Sequence, residues 1–329
     1  MKHRSRTVTL RFRHWPNPIS EAERPFATLL EMALNRPVEI VTTNKGMVDI
    51  EIESVYGRPA IPSLKTRAYR LLASHTTKGI DFSSRKYSIN QQPTGKSQFS
   101  IFFTGENERP PLGSWDAYLT FDLHSYGGRN AYLPLWWITS SNLIEPTVSP
   151  YLGKEITIEQ MTQRRVAEWS QRKKFCVAFV GKAYPFRMQA IAALSRVGKV
   201  DVFGGIARNS NRAKAKEKFE ISQSYKFVFA FENDLFPGYV TEKAPEAWAT
   251  GAVPLYWGSD PEGYLNSAAL LNLVDFKNLD TYVERILEVN NDRELWTSIA
   301  EQPLLQRRPN LNEVMKVLRE RLKPLVRIA

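Results

Sequence analysis

The sequence predicts an α/β protein built of two Rossmann-like parallel-sheet domains facing a central cleft. Three observations predict it. The chain has 329 residues, about twice a common domain length. Apolar runs alternate with helical patterns in both halves, the pattern of a parallel sheet covered by helices. Between the halves, from about Ser140 to Arg172, the pattern breaks. Pro146, Pro150 and Gly153 are followed there by a polar stretch rich in Gln and Arg. The predicted division is 1–165 for a first domain with its linker, 166–310 for a second domain and 311–329 for a basic C-terminal helix.

In chain order, the first half gives strands at Val8–Trp15, Val38–Thr42, Phe99–Phe103 and Tyr118–Phe121, with a helix at Glu21–Leu34. The second half gives apolar runs at Phe175–Val180, Val200–Phe203, Phe227–Phe231 and Val253–Trp257. Continuous runs of this kind suit strands buried on both faces. Tandem parallel-sheet domains bind ligands at the carboxyl ends of their strands, so the strand-to-helix junctions are the places to look for chemistry.

Composition narrows the function classes. With 43% hydrophobic and 24% charged residues the chain is an ordinary globular protein rather than a disordered one. The net charge of +11 calls for an acidic partner: nucleic acid, an anionic membrane surface or a phosphorylated small molecule. Basic clusters at Lys214, Lys216 and Lys218 and at Arg319, Arg321 and Lys323 would serve nucleic acid, but no zinc-finger, helix-turn-helix or ribonucleoprotein motif accompanies them. The basic amphipathic tail, with Val314, Val317, Leu318, Leu322 and Leu325 on one side, either packs back on the protein or lies on an anionic membrane. Residues 1–12 are basic without an apolar run, which predicts neither a secretory leader nor a membrane anchor. The lone Cys176 sits in an apolar run as a small buried residue. Both features suit a cytoplasmic protein, peripheral to a membrane at most.

The richest stretch is Ser224–Gly258. A strand leads into a loop containing Asn233, Asp234, Pro237 and Gly238, after which Tyr239, Thr241, Glu242 and Lys243 open a helix. A cation at a helix start opposes the macrodipole and so calls for an anionic partner of its own, such as a diphosphate. Arg187 repeats the arrangement after the strand Phe175–Val180. Glu242 is suited either to accept hydrogen bonds from a ribose diol or simply to favour the helix start. Pro245, two residues beyond Lys243, biases Ala244 away from helical geometry and predicts a delayed helix start.

The segments FAFEN, YVTEK and AVPLYWG resemble the donor-site signature of the α-1,3-fucosyltransferase family, and the resemblance extends from about Ser97 to Gly258. It implies the GT-B arrangement of two Rossmann-like domains, GDP-fucose as donor, a glycan hydroxyl as acceptor, inversion at the anomeric carbon and no bound metal for chemistry. The motifs read nucleotide and phosphate more clearly than fucose and leave another GDP-sugar on the same fold as the alternative. Carried over by motif, Arg187 and Lys243 hold the diphosphate, Glu242 the ribose, Tyr239 and Asn233 shape the donor pocket, and Gly204 and Gly205 form the glycine turn near the nucleotide. The absence of any Asp-x-Asp, with the four histidines and the cysteine scattered, predicts no metal site and no cofactor beyond the donor substrate.

In the first half, Thr104–Asn107 reads TGEN at a strand end. A carboxylate there suits a base that takes the acceptor's proton. The resemblance implies that role for Glu106. Asp122, His124, Arg129 and Trp137 are the acceptor-side candidates. Trp115, Trp136 and Trp137 offer either sugar-stacking faces or core packing, and core packing is the commoner use of such rings.

Overall fold

The computed structural model describes residues 7–15, 20–43, 45–55, 93–108, 115–146, 148–150, 152–205 and 217–327, with only the backbone for 20–22. Lys214 and Lys216 lie outside them. The chain separates into two units, and each is described by itself. The first takes in the described parts of 1–61 and 85–138 together with 310–329, and the second runs from Thr139 to Pro309.

The first unit is a six-stranded, all-parallel sheet of order β2-β1-β3-β4-β5-β6. Its strands are β1 (Val8–Arg13), β2 (Val38–Ile40), β3 (Val48–Glu53), β4 (Ser97–Thr104), β5 (Ala117–Thr120) and β6 (Asn130–Tyr132). The helix α1 (Ser20–Leu34) connects β1 to β2 and buries Phe26, Leu29, Leu30 and Leu34. A short helix, α2 (Leu135–Thr139), ends the unit with Trp136 and Trp137 buried. Trp115 is buried as well, so all three candidate tryptophans are core residues.

Strand β3 is one of the elements that the apolar pattern does not predict. Its sequence VDIEIE is buried at every position, because its acidic residues meet polar partners across the sheet. Arg11 Nε donates to Glu51 at 2.9 Å, and the Thr9 hydroxyl donates to Asp49 at 2.8 Å. A buried charge survives when it is paired and hydrogen-bonded.

The second unit holds a five-stranded parallel sheet of order β11-β10-β9-β7-β8. These strands are β7 (Lys174–Val180), β8 (Val200–Gly204), β9 (Tyr225–Phe231), β10 (Val253–Trp257) and β11 (Leu271–Asn272). Its helices are α3 (Ile158–Met161), α4 (Pro185–Leu194), α5 (Lys218–Ser222), α6 (Lys243–Ala249), α7 (Leu279–Asn291) and α8 (Arg293–Ala300). Cys176, Phe227, Leu255, Tyr282, Ile286 and Trp296 belong to one apolar core cluster of the sheet and its helices.

Two boundaries differ from the sequence prediction. Residues 139–165 join the second unit rather than the first, where the half-buried Arg165 and the buried Arg172 are tied to that unit's backbone. Arg165 donates to the carbonyls of Trp248, Ala252 and Ala300, and Arg172 to those of Ser222, Tyr225 and Thr250. The tail is likewise part of the first unit, not an appendage. Helix α9 (Asn312–Arg321) packs on α1, with Val314, Val317, Leu318 and Leu322 buried. Arg319 donates to the carbonyls of Met32 and Ala33 in the last turn of α1, where a cation complements the helix dipole. Arg321 donates to the carbonyls of Gly127 and Gly128 at 3.2 and 3.0 Å. The apolar side that a membrane surface would need is therefore already covered. Among the described residues no helix is long and apolar enough to cross a membrane.

Candidate functional site

The donor-side residues converge at the carboxyl end of the second sheet. Strand β9 delivers Glu232 and Asn233, the following loop delivers Tyr239 and Thr241, and α6 opens at Lys243 with Glu242 as its N-cap. Pro245 does not delay the helix. It is the third residue of α6, and the first intrahelical bond runs from Glu246 N to Glu242 O at 2.9 Å, so the N–H that proline lacks would have had no intrahelical partner. Arg187 comes from the first turn of α4, which Pro185 begins.

Glu232 organises this end of the sheet. It is fully buried and accepts from Thr241 N at 2.8 Å and the Thr241 hydroxyl at 2.7 Å, with Lys243 Nζ at 3.2 Å. Lys243 Nζ also donates to the Thr241 hydroxyl at 2.8 Å and to Glu242 at 3.2 Å. All three ammonium protons are thus engaged. Burial works against the charge of Lys243, but Glu232 and Glu242 outweigh it and hold the ammonium above its ordinary pKa. Burial also opposes the charge of Glu242, but Lys243, a backbone hydrogen bond and Lys218 together outweigh it and hold that carboxyl low. Glu232 goes the other way, because burial outweighs its attraction to Lys243.

Arg187 is buried and donates from Nη1 to Asn233 Oδ1 at 3.0 Å, while its Nε has no hydrogen-bond partner among the described residues. Burial pulls its guanidinium down, against the pull of Glu232 and Glu242. A buried guanidinium with an unsatisfied N–H is poised for an anionic ligand.

Arg187, Glu242 and Lys243 line one open cavity, about 470 Å³ when the solvent space at its mouth is included. Lys218, Glu246, Phe179, Phe229 and Leu152 also line it. Glu246, one turn beyond Glu242, is buried and hydrogen-bonded to the Ser149 hydroxyl. Burial and then the neighbouring Glu242 push its carboxyl up to about 8.

The other donor-side candidates support the cavity from outside its lining. Asn233 holds Arg187, and Tyr239 is fully buried beside it. Gly204, at φ 120°, and Gly205 bring the end of β8 against the backbone of Val180 and Gly181, where a side chain would collide with carbonyl oxygens. Close backbone approach is the observed reason for both glycines.

In the first unit, Glu106 follows β4 and is half-buried, in a turn where the Thr104 hydroxyl donates to Glu106 O at 2.9 Å and accepts from Glu106 N at 3.3 Å. The turn fixes the backbone through Thr104. Asp122 spends its carboxylate on its own loop, accepting from His124 N at 3.1 Å and from the Tyr126 hydroxyl at 2.8 Å. His124 is exposed and accepts from Tyr126 N through Nδ1 at 3.0 Å. Arg129 donates to the carbonyls of Tyr126 and Trp115 at 3.1 and 3.0 Å. Trp137 packs edge-on against Tyr132 at 5.7 Å. Of the acceptor-side candidates, only His124 is exposed; Asp122 and Arg129 hold the loop, and Trp137 is buried in the core. Among the described residues no cluster of three or more His, Cys, Asp or Glu is placed to hold a metal ion.

Sequence reasoning passed over Glu232, Glu246 and Ser149. Glu232 stood inside the FAFEN motif, and Glu246 stood four residues from Glu242 on the same helix, which is the signal that both share a face. Ser149 carried no local signal.

Comparison with known proteins bears on the same region. Residues 169–300 match the model of the glycosyltransferase family 10 (fucosyltransferase) C-terminal domain. The chain is 27% identical over 225 residues to an α-(1,3)-fucosyltransferase of Helicobacter pylori, covering 62% of this chain and 47% of that protein. A putative fucosyltransferase of Acanthamoeba polyphaga mimivirus is 29% identical, covering 40% of this chain and 24% of that protein. The chain therefore spans less than half the length of these curated relatives. Among solved structures, an α1,3-fucosyltransferase crystal structure superposes with a TM-score of 0.67 at 18% identity, covering 98% of this chain and 92% of that one, which shows the shared two-domain fold. A crystal structure of an α1,3-fucosyltransferase with GDP-fucose gives 0.64 at 17% identity, covering 98% of this chain and 93% of that one. The stretch that carries the donor-side motifs is thus similar to the C-terminal domain of glycosyltransferase family 10, the fucosyltransferases.

Proposed function

We propose that the protein transfers fucose from GDP-fucose to a hydroxyl of a glycan, with inversion at the anomeric carbon and without a metal. The observation that carries the reading is the single cavity lined by Arg187, Lys243 and Glu242, in a unit that matches the fucosyltransferase C-terminal domain. A solved relative of the same fold has GDP-fucose bound. Arg187 and Lys243 would hold the diphosphate and neutralise the leaving GDP, the task a metal ion performs elsewhere. Because Lys243 already uses its three protons, a phosphate oxygen would displace one acceptor; losing Glu242 frees that carboxylate for the ribose diol. Glu106, on the first unit, would take the acceptor's proton as its oxygen attacks. We place the reaction in the cytoplasm on the same reading, with the buried Cys176 kept as a free thiol.

The test is turnover with a panel of GDP-sugars against a glycan array in the presence of EDTA. Fucose transfer that persists under chelation is expected. Activity lost to EDTA and restored only by a divalent ion would contradict the metal-free part, and preference for another GDP-sugar would contradict the fucose part. Arg187→Ala and Lys243→Ala should each weaken GDP binding by about 1.5–3 kcal/mol, the scale of a charge-assisted hydrogen bond. Calorimetry showing unchanged affinity in both would overturn their assignment.

A further inference from the structure

We infer that the carboxylate of Glu246 reads the nucleobase of the donor, accepting hydrogen bonds from the two adjacent N–H donors of a guanine edge. The inference rests on the GDP-sugar reading above and assigns the part of the cavity that reading leaves empty. Arg187, Lys243 and Glu242 account for phosphate and ribose, yet Glu246 of α6 lines the same cavity, together with Phe179, Val228 and Phe229. Phe229 is buried, and Phe179 stacks on Phe203 with ring centroids 5.5 Å apart. Flat apolar walls with one convergent polar group suit a planar base.

The polar group decides which base. Glu246 lies one helical turn beyond Glu242, a rise of about 6 Å, which is the scale of the step from ribose hydroxyls to the far edge of a base. Its Oε1 is bonded to the Ser149 hydroxyl, and among the described residues no hydrogen bond engages Oε2. An ionised carboxylate only accepts, so it pairs with neighbouring donors. Guanine presents N1–H and the 2-amino group side by side. Adenine offers one donor beside an acceptor, and uracil one donor between two carbonyls. Pairing with two N–H groups also favours the charged carboxylate, with Lys218 and Lys243 the cations facing it from α5 and α6.

The experiment is calorimetric titration of the whole chain with GDP, IDP (which lacks the 2-amino group) and UDP, using the wild type, Glu246→Gln and Ser149→Ala. The wild type should bind GDP at least about 10-fold more tightly than IDP, since a buried acceptor left unpaired costs on the order of a kilocalorie per mole or more. Glu246→Gln should bring the GDP/IDP ratio near one, whereas Ser149→Ala should keep it. Equal binding of GDP and IDP by the wild type overturns the inference without needing any variant to fold, and so does a ratio preserved in Glu246→Gln. Loss of discrimination in both variants overturns it in favour of a purely structural Ser149–Glu246 contact. A wild type that binds none of the three diphosphates overturns the donor reading itself.

Discussion

Glu246 carries a charge question that solution measurements can answer. Burial, and after it Glu242, raises its carboxyl from the unfolded value of 4.5 to about 8. Between those values the folded state binds more protons than the unfolded chain, so this group makes stability fall as pH rises from about 4.5 to 8. Glu246→Gln removes the titration. Its melting temperature relative to wild type should therefore climb across that interval, and a pH-independent difference between the two proteins would show that the carboxyl titrates normally. Lys243 stands in contrast. Its two carboxylate neighbours keep it charged throughout the same range, so the donor-side cation is present whenever the protein is folded at neutral pH. The strand-end cations Arg187 and Lys243 were legible because each breaks a local rule, a cation at a helix start. Glu246 breaks none: a glutamate in a first helical turn is ordinary, and only its pairing with Ser149, 97 residues away in sequence, reveals its surroundings.

At the scale of elements, apolar runs made most of the framework readable. Val253–Trp257 is a strand as expected, and Phe227–Phe231 is extended only to Tyr225. Strand β3 escaped because its charges face partners in β1, a tertiary fact that local hydrophobicity does not encode. The same applies to residues 139–165, whose proline content suggested a linker while Arg165 belongs by its hydrogen bonds to the second unit. The glycine pair after β8 gives a direct test of an element junction. Gly204 sits at φ 120°, and a methyl group there would collide with the Val180 carbonyl. Gly204→Ala should lower stability by about 1–3 kcal/mol in chemical denaturation, the scale of a strained backbone position. A variant as stable as wild type would mean that the β7–β8 approach relaxes freely.

On the scale of the whole molecule, the proposed chemistry draws on residues of two parallel-sheet units. The donor-side cations and carboxylates belong to the second, and Glu106 follows a strand of the first. That division predicts that rate and donor affinity respond to different residues. Glu106→Gln keeps the shape of the side chain and removes its basicity, so transfer from GDP-fucose to a glycan acceptor should fall by roughly 100-fold or more. GDP affinity measured on the same variant by calorimetry should stay at the wild-type value. Transfer at a near-normal rate would contradict the assignment of the base, and a loss of GDP affinity matching the loss of rate would contradict the division of labour between the two units.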